Sequence, residues 1–373
     1  MSYLTVASHR SMALDARRNA AYHAALAGVI NPDSAVLDLG AGTGVHGLMA
    51  ARLGARRVYL VEPEDIISVA SEIAHANGLD RIVRCIQGRI EDVELPEPVD
   101  VIVSVLTGNF LLTEDLLPAL LCARKKTLKP GGCLIPSAGT MEAVPVCAPE
   151  VHATEVGSWS QPQHGVDLSV ARGYAANTVF YRGRELRGLT RLAEPRTLHT
   201  LDFSRDDYAS VRIDATFEIS QSGVCHGVIG WMNVRLGETW LSTSPDDPAV
   251  HWSTAFLPLD PPMAVERGER LSFTLDRAPF GDWTWSVSST SGTQQHSTML
   301  SAPIAAPSLE KARVSYVPTL NVEGRLLRQV LEECGSGRAA GDIAVQLRRE
   351  HPVRFATDAE ATAFVQRIVK KYG

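Results

Sequence analysis

The sequence predicts an α/β domain built on a parallel sheet, followed by an antiparallel β-barrel and a small helical C-terminal domain. Three observations carry this expectation. From about Ala13 to Pro136, apolar strand-like runs alternate with helix-like stretches, as in a parallel sheet with helices on both faces. After Pro136, short polar-alternating runs replace them without long helical periods, which reads as an antiparallel barrel or sandwich. Beyond an Ala/Pro-rich stretch at Ala302–Pro307, three segments recover helical apolar spacing.

The elements follow in order. Strand runs are expected at Ala35–Leu39, Arg57–Val61, Val83–Gln87, Val99–Val105 and Gly132–Pro136, with helices at His46–Leu53 and Leu116–Leu128. Pro130-Gly131-Gly132 reads as the turn that stops the second of these helices and launches the last strand. The barrel strands are expected at Thr140–Val146, Ser210–Ile219, Val224–Leu236, Thr254–Leu257, Leu271–Leu275 and Trp283–Ser288. Between the first of these and the rest lies Glu150–Pro195, too long for a plain loop and so an excursion with its own purpose. Amphipathic helices are expected at Asn321–Glu333, Ala339–Glu350 and Asp358–Tyr372. The boundaries are therefore 1–136, 137–301 and 308–373, with the excursion at 150–195.

Composition narrows the class. The 373 residues suit two or three domains, and 45% hydrophobic with 21% charged residues excludes disorder, collagen and coiled coil. A formal charge of −6 advertises neither nucleic acid nor an anionic membrane surface. No apolar run is long enough to cross a bilayer, and Met1–Arg18 lacks the apolar core of a secretory signal. The six cysteines never come closer than eleven residues apart, which offers no CxxC pair for zinc or redox work. A soluble, cytoplasmic, multi-domain protein without a metal site is expected.

Val36-Leu37-Asp38-Leu39-Gly40-Ala41-Gly42-Thr43-Gly44 is the informative segment. An apolar strand runs straight into a glycine turn and then a helix, so the backbone can approach a ligand closely. Eighteen residues past Gly44, Glu62 ends the next strand, where a carboxylate can accept from both hydroxyls of a ribose. On these residues alone, a nicotinamide site or an empty Rossmann-like turn stays open.

The wider pattern resembles class I S-adenosylmethionine (SAM)-dependent methyltransferases, and within them the protein arginine methyltransferases. Gly54–Glu62, Asn77-Gly78-Leu79, the run Ile90–Pro96 and Leu128-Lys129-Pro130-Gly131-Gly132 fall in that family's order and spacing. The resemblance implies SAM as cofactor. Asp38 belongs to the binding motif, Gly40, Gly42 and Gly44 pass under the methionine part and ribose, and Glu62 takes the ribose hydroxyls. It places Glu91 at the adenine amino group and Ile90 against the ring; without the family register Glu91 reads as a solvated loop acid. His9–Arg18 followed by Tyr22 resembles the family's helix before the core. There Arg18 meets the SAM carboxylate, a bidentate task suited to arginine, and Met12 lines the pocket near the sulfonium. Arg17, second of a basic pair, reads as a solvated face residue. The family's two-tyrosine closing helix is shortened or absent, with only Tyr3 in register.

The resemblance also defines an acceptor site. The family orients a guanidinium with two glutamates on one loop, which here reads Ser104 to Glu114. Glu114 matches the second glutamate, and Val105 stands at the first. A guanidinium has five donors in a rigid fork, and leaving a buried cation half-satisfied costs roughly 3–5 kcal/mol. Thr107 and Asn109 can hydrogen-bond a neutral group instead. Val250-His251-Trp252 resembles the family's Thr-His-Trp loop, whose histidine pairs with the aspartate matched by Asp15; such a pair can orient the acceptor or relay its proton.

Glu150–Pro195 falls where the family has an arm that docks on a second subunit, implying a homodimer. The tail from Glu310 carries eleven basic and eight acidic residues, a charge of +3 against −9 for the remainder. It resembles the small winged-helix-like PqqD domains that hold peptides by strand addition, and an inert packing module stays open. The leading expectation is methyl transfer from SAM to nitrogen, with oxygen second, on a small molecule or peptide. An arginine methyltransferase, on protein or free arginine, with a divergent clamp is the next. The third is an idle SAM-binding scaffold whose tail binds a partner peptide.

Overall fold

A computed structural model describes residues 5–183, 186, 189–207 and 210–372. The chain forms two compact units, Met1–Pro303 and Ile304–Gly373. Tyr3 lies outside the described residues.

The first unit opens with helices α1 (Val6–Ala13) and α2 (Ala16–Ala27). It continues through β1 (Ala35–Leu39), α3 (Val45–Arg52), β2 (Arg57–Glu62), α4 (Ile67–Ala76), β3 (Val83–Gln87), β4 (Val99–Ser104), α5 (Leu117–Thr127) and β5 (Leu128–Ile135). These five strands form one parallel sheet in the order β3-β2-β1-β4-β5. All five residues of the central β1, Ala-Val-Leu-Asp-Leu, are buried, as expected of a parallel strand covered on both faces. The chain leaves β1 for β2 on one side and reaches β4 on the other, which opens a crevice at the carboxyl ends of the strands.

One expectation fails at β5. Pro130 and Gly131 lie inside the strand, which starts directly after α5 at Leu128. The register slips between Val99 and Val101 of β4, and Gly131 takes φ +77°. β5 is the sheet edge, where a proline without an N–H is tolerated.

The chain continues in β6 (Ala138–Cys147), α6 (Pro149–Glu155), α7 (Val170–Ala175), β7 (Phe180–Arg182), β8 (Thr190–Arg191), β9 (Arg196–Asp202) and β10 (Val211–Glu218). β11 (Gly223–Leu236), β12 (Thr239–Ser242), β13 (Thr254–Val265), β14 (Arg270–Arg277), β15 (Thr284–Ser289) and β16 (Gly292–Ser297) complete the unit. They make two antiparallel sheets, β7-β13-β11-β6-β8 with β12 and β9 alongside, and β10-β14-β15-β16. Along β14, Leu271, Phe273, Leu275 and Arg277 point inward between more accessible neighbours, the period-two signature of a barrel wall. The excursion at 150–195 contributes α6, α7, β7 and β8. Residue 136 does not separate two cores: Ile102 and Leu134 share one hydrophobic cluster with Met141, Val228 and Trp285.

The second unit holds α8 (Ala306–Lys311), α9 (Val322–Gly335), α10 (Ala340–Glu350) and α11 (Asp358–Tyr372). Asn321 caps α9 by accepting the Gly324 N–H at 2.7 Å. Leu326, Val330, Ile343, Leu347, Phe355, Phe364 and Ile368 form its core. The helical spacing places α9 to α11 where the sequence predicts them. Among the described residues this unit has no strand, so the edge needed for strand addition is missing and the PqqD-like reading does not hold. No helix among the described residues is long and apolar enough to cross a membrane.

Candidate active site

A cavity of about 1100 Å³ opens at the carboxyl end of the parallel sheet. It is walled by α1 and α2, the glycine loop, the Val105–Leu116 loop and the Ala249–Ser253 segment. A volume above the usual range for drug-sized ligands leaves room for a cofactor and an acceptor together.

The glycine loop sets the floor. Gly40, Gly42 and Gly44 take φ +67°, +53° and +80°, conformations that side chains disfavour. A Cβ at Gly40 would come within 2.9 Å of Leu106, and one at Gly42 within 2.9 Å of the His9 ring. Gly44 faces Leu60 and Ala70 beneath the loop instead of the cavity, and serves as the left-handed N-cap of α3. Glu62 ends β2 with its carboxylate at the cavity, accepting the Gly42 N–H at 3.0 Å and the Glu64 N–H at 3.1 Å.

Asp38 is placed differently from the expectation. It is 2% exposed and absent from the cavity wall, and its Oδ2 accepts the Gly47 N–H at 2.7 Å. Its carboxylate fastens α3 beneath the loop. Burial raises its pKa to about 7, opposed by the Gly47 hydrogen bond. The adenine pair also departs from expectation. Ile90 is buried in the core, and Glu91 pairs with Arg89 at 3.6 Å. Neither lines the cavity.

The pre-core helices deliver Met12, Asp15, Arg17 and Arg18 to the wall. Arg18 is 3% exposed, donates to the Met12 carbonyl and lies 5.5 Å from the centre of the Trp252 ring, with its Nε unpartnered. Burial lowers its pKa from the ordinary arginine value, against the pull of Tyr22, Asp15 and Asp38. Arg17 is half-buried, not a solvated face residue. It donates to the carbonyls of Ser242 and Pro248, tying α2 to the barrel loop.

Asp15 and His251 do meet, through the backbone of the histidine. Asp15 caps α2 by accepting the Arg18 N–H at 2.9 Å, and its second oxygen accepts the His251 main-chain N–H at 2.6 Å. The imidazole takes no part in this contact, and His251 lines the cavity. Burial, then Arg18, lower its pKa from the ordinary histidine value, so it is neutral at pH 7. Trp252 donates from Nε1 to the Thr107 carbonyl at 2.9 Å.

The acceptor loop is strained and anchored. Phe110, Leu111, Glu114 and Asp115 all have positive φ, a conformation that persists only where surroundings over-determine it. The surroundings are plain. Asp115 forms a bidentate pair with Arg277 at 2.9 and 2.6 Å and accepts the Phe280 N–H. The Thr113 hydroxyl meets the Tyr181 hydroxyl at 2.7 Å. Gly108 is obligatory, since a Cβ there would sit 1.7 Å from the Thr113 carbonyl oxygen.

Glu114 and Val105 both line the cavity. Its acids among the described residues are Asp15, Glu62, Glu64 and Glu114. Asp15 is engaged with main-chain donors and Glu62 and Glu64 stand at and just past the end of β2, so Glu114 is the one acid that the Val105–Leu116 loop gives to the cavity wall among the described residues. The Asn109 Oδ1 accepts the Ser253 N–H at 2.8 Å, and the Thr107 Oγ1 is buried without a partner. His9, His46 and Thr43 are wall residues that the sequence reading missed. His46 was the findable one, a polar residue two positions after the last glycine of the loop.

Residues 36–132 match the model of a methyltransferase domain, and residues 137–286 that of the arginine methyltransferase oligomerization subdomain. The histone-arginine methyltransferases CARMER of Drosophila persimilis and Drosophila yakuba are 31% identical over 284 residues, 72% of this chain and 53% of theirs. The chain thus spans about half the length of those relatives. The Trypanosoma brucei PRMT1 enzyme-prozyme complex with AdoHcy superimposes with a TM-score of 0.73 at 25% identity, over 80% of this chain and 99% of that one. Arabidopsis thaliana protein arginine methyltransferase 10 gives a TM-score of 0.68 at 24% identity, over 79% and 99%, a likeness of fold.

Proposed function

The chain carries a class I methyltransferase fold and resembles the protein arginine methyltransferase family, and from that premise we propose that it moves the methyl group of SAM to a nitrogen acceptor on a small molecule or peptide. The observation that carries this reading is the one cavity that the glycine loop, Glu62, Arg18, Glu114, His251 and Val105 line together. The buried, unpartnered Arg18 Nε fits a carboxylated cofactor. Arg18 would hold its carboxylate and Glu62 its ribose hydroxyls, with Met12 against the cavity wall beside them. SAM supplies an activated methyl group, and the chain's own residues supply position. Close, dry placement of the acceptor nitrogen in line with that methyl can supply several kcal/mol of such a rate enhancement, up to about 7–11 kcal/mol.

Glu114 orients the acceptor by accepting from its N–H or attracting its charge. The neutral His251 ring is available to take the proton that the nitrogen sheds. Val105 and the Thr107 hydroxyl face the acceptor with an apolar and a neutral polar surface, which suits an amine or a singly hydrogen-bonded nitrogen better than a guanidinium. The −9 charge outside the tail favours approach of a cationic acceptor.

Arginine methylation with a divergent clamp is the second reading, favoured by the arginine methyltransferase relatives. A homodimer through the arm is part of the proposal, supported by the match to an oligomerization subdomain and by exposed Trp159, Val166, Val170 and Tyr174. The test is release of S-adenosylhomocysteine with free arginine, arginine peptides, simple amines and cell extract. SAM binding without release from any acceptor would favour the idle scaffold.

A further inference from the structure

At the inner end of the cavity, Tyr22, Arg18 and His46 converge under the glycine loop. Tyr22 is fully buried, and its hydroxyl donates to the Ser104 carbonyl at 3.0 Å. The His46 ring lies over it, with centroids 4.4 Å apart at 34°. Arg18 already gives one N–H to the Met12 carbonyl. Two polar atoms remain buried without partners, Arg18 Nε and His46 Nε2, on residues 3% and 5% exposed that both line the cavity.

A buried imidazole nitrogen without a hydrogen bond is costly. An apolar side chain would stack on Tyr22 as well without that cost, so the polar ring needs a further reason. Its position supplies one. His46 is the second residue of the eight-residue α3, where the helix dipole favours negative charge. The guanidinium beside it adds a full positive charge. Burial, then Arg18, hold the His46 pKa down to about 3, so the ring is neutral and donates from one nitrogen only. A group with several acceptor lone pairs and negative charge fits between these donors, and a carboxylate meets both conditions.

We propose that His46 is a second ligand of the cofactor's carboxylate, donating from Nε2 beside the Arg18 guanidinium. This rests on the reading of the cavity as a SAM site. It makes His46 a residue that selects the amino-acid end of the cofactor, leaving the nucleoside to Glu62 and the glycine loop.

The test is calorimetric titration of the full chain with SAM and with decarboxylated SAM, which keeps the amine and lacks the carboxylate. In His46→Leu, affinity for SAM should fall by about tenfold, the worth of one hydrogen bond to a charged group, while affinity for decarboxylated SAM stays as in the wild type. His46→Gln, which keeps a donor, should recover part of the loss. Retained binding of decarboxylated SAM also reports that the variants fold. Equal losses for both ligands, or no loss for either, overturn the role of His46 and leave SAM binding standing. Failure of the wild type to bind either ligand overturns both readings.

Discussion

Asp15 receives the main-chain N–H of His251 at 2.6 Å while its other oxygen caps α2 at the Arg18 N–H. One carboxylate therefore fixes the start of the helix that carries Arg18 and the barrel loop that carries His251. Arg17 adds two further bonds from the same helix to the carbonyls of Ser242 and Pro248.

Because Asp15 bonds the His251 backbone, removing the imidazole leaves both of its main-chain hydrogen bonds in place. Asp15→Ala loses a helix cap, worth about 1 kcal/mol, and strands a half-buried donor besides. The same loss is expected in a His251→Leu background, with the two effects adding to within about 0.5 kcal/mol in urea denaturation. An Asp15 penalty that vanishes once the ring is removed would show that the imidazole is the partner.

Asp38 and His46 make opposed contributions to pH-dependent stability. Asp38 is raised to about 7, so between about pH 4 and 7 the folded chain holds a proton that the unfolded chain has shed, and stability falls as pH rises. His46 is lowered to about 3, so between about pH 3 and 6.5 the unfolded chain holds the extra proton, and stability rises with pH. Each slope is about 1.4 kcal/mol per pH unit at most, and over the shared window they cancel. Asp38→Asn should therefore unmask a rising stability profile between pH 4.5 and 6, and His46→Leu a falling one. Identical profiles in both variants would contradict the assignment.

The buried pair of Arg277 with Asp115 is the main anchor of the strained acceptor loop. Arg277→Met leaves the part-buried Asp115 carboxylate with the Phe280 N–H but without its counter-charge, a loss of roughly 3 kcal/mol, the low end for a broken buried pair. Chemical denaturation measures it, and a loss below about 1 kcal/mol would place the pair among surface ion pairs.

In the proposed reading, Glu114 acts on the acceptor and not on the cofactor. Glu114→Gln should reduce turnover by about 100-fold, the cost of a misplaced acceptor, with SAM affinity unchanged by calorimetry. Parallel losses in turnover and SAM affinity would move Glu114 out of the acceptor site.

Much of this was legible in the sequence. The parallel strands are short apolar runs separated by helical spacing, and the strand-to-glycine turn at Gly40–Gly44 has one local solution. The tail helices carry their own caps and stripes, as at Asn321 and Leu326. What escaped was long-range. Whether Asp38 faces a ligand or the Gly47 N–H depends on how α3 returns over β1. Arg17 looks solvent-facing until the Ser242–Pro248 loop arrives more than two hundred residues later in the chain. Pro130 and Gly131 read as a turn because local chemistry cannot reveal that β5 is an edge strand.

The central claim is that the cavity transfers methyl groups to a nitrogen held by Glu114 alone on the acceptor loop, with Val105 withholding the second carboxylate. The most direct measurement compares S-adenosylhomocysteine release by the wild type and Val105→Glu with an arginine peptide and with the best acceptor from an amine panel. The account predicts a wild type active on the amine and poor on arginine, with Val105→Glu shifting the preference toward arginine by tenfold or more, about the worth of one added charged hydrogen bond. Efficient arginine methylation by the wild type, unchanged or weakened by Val105→Glu, would contradict it.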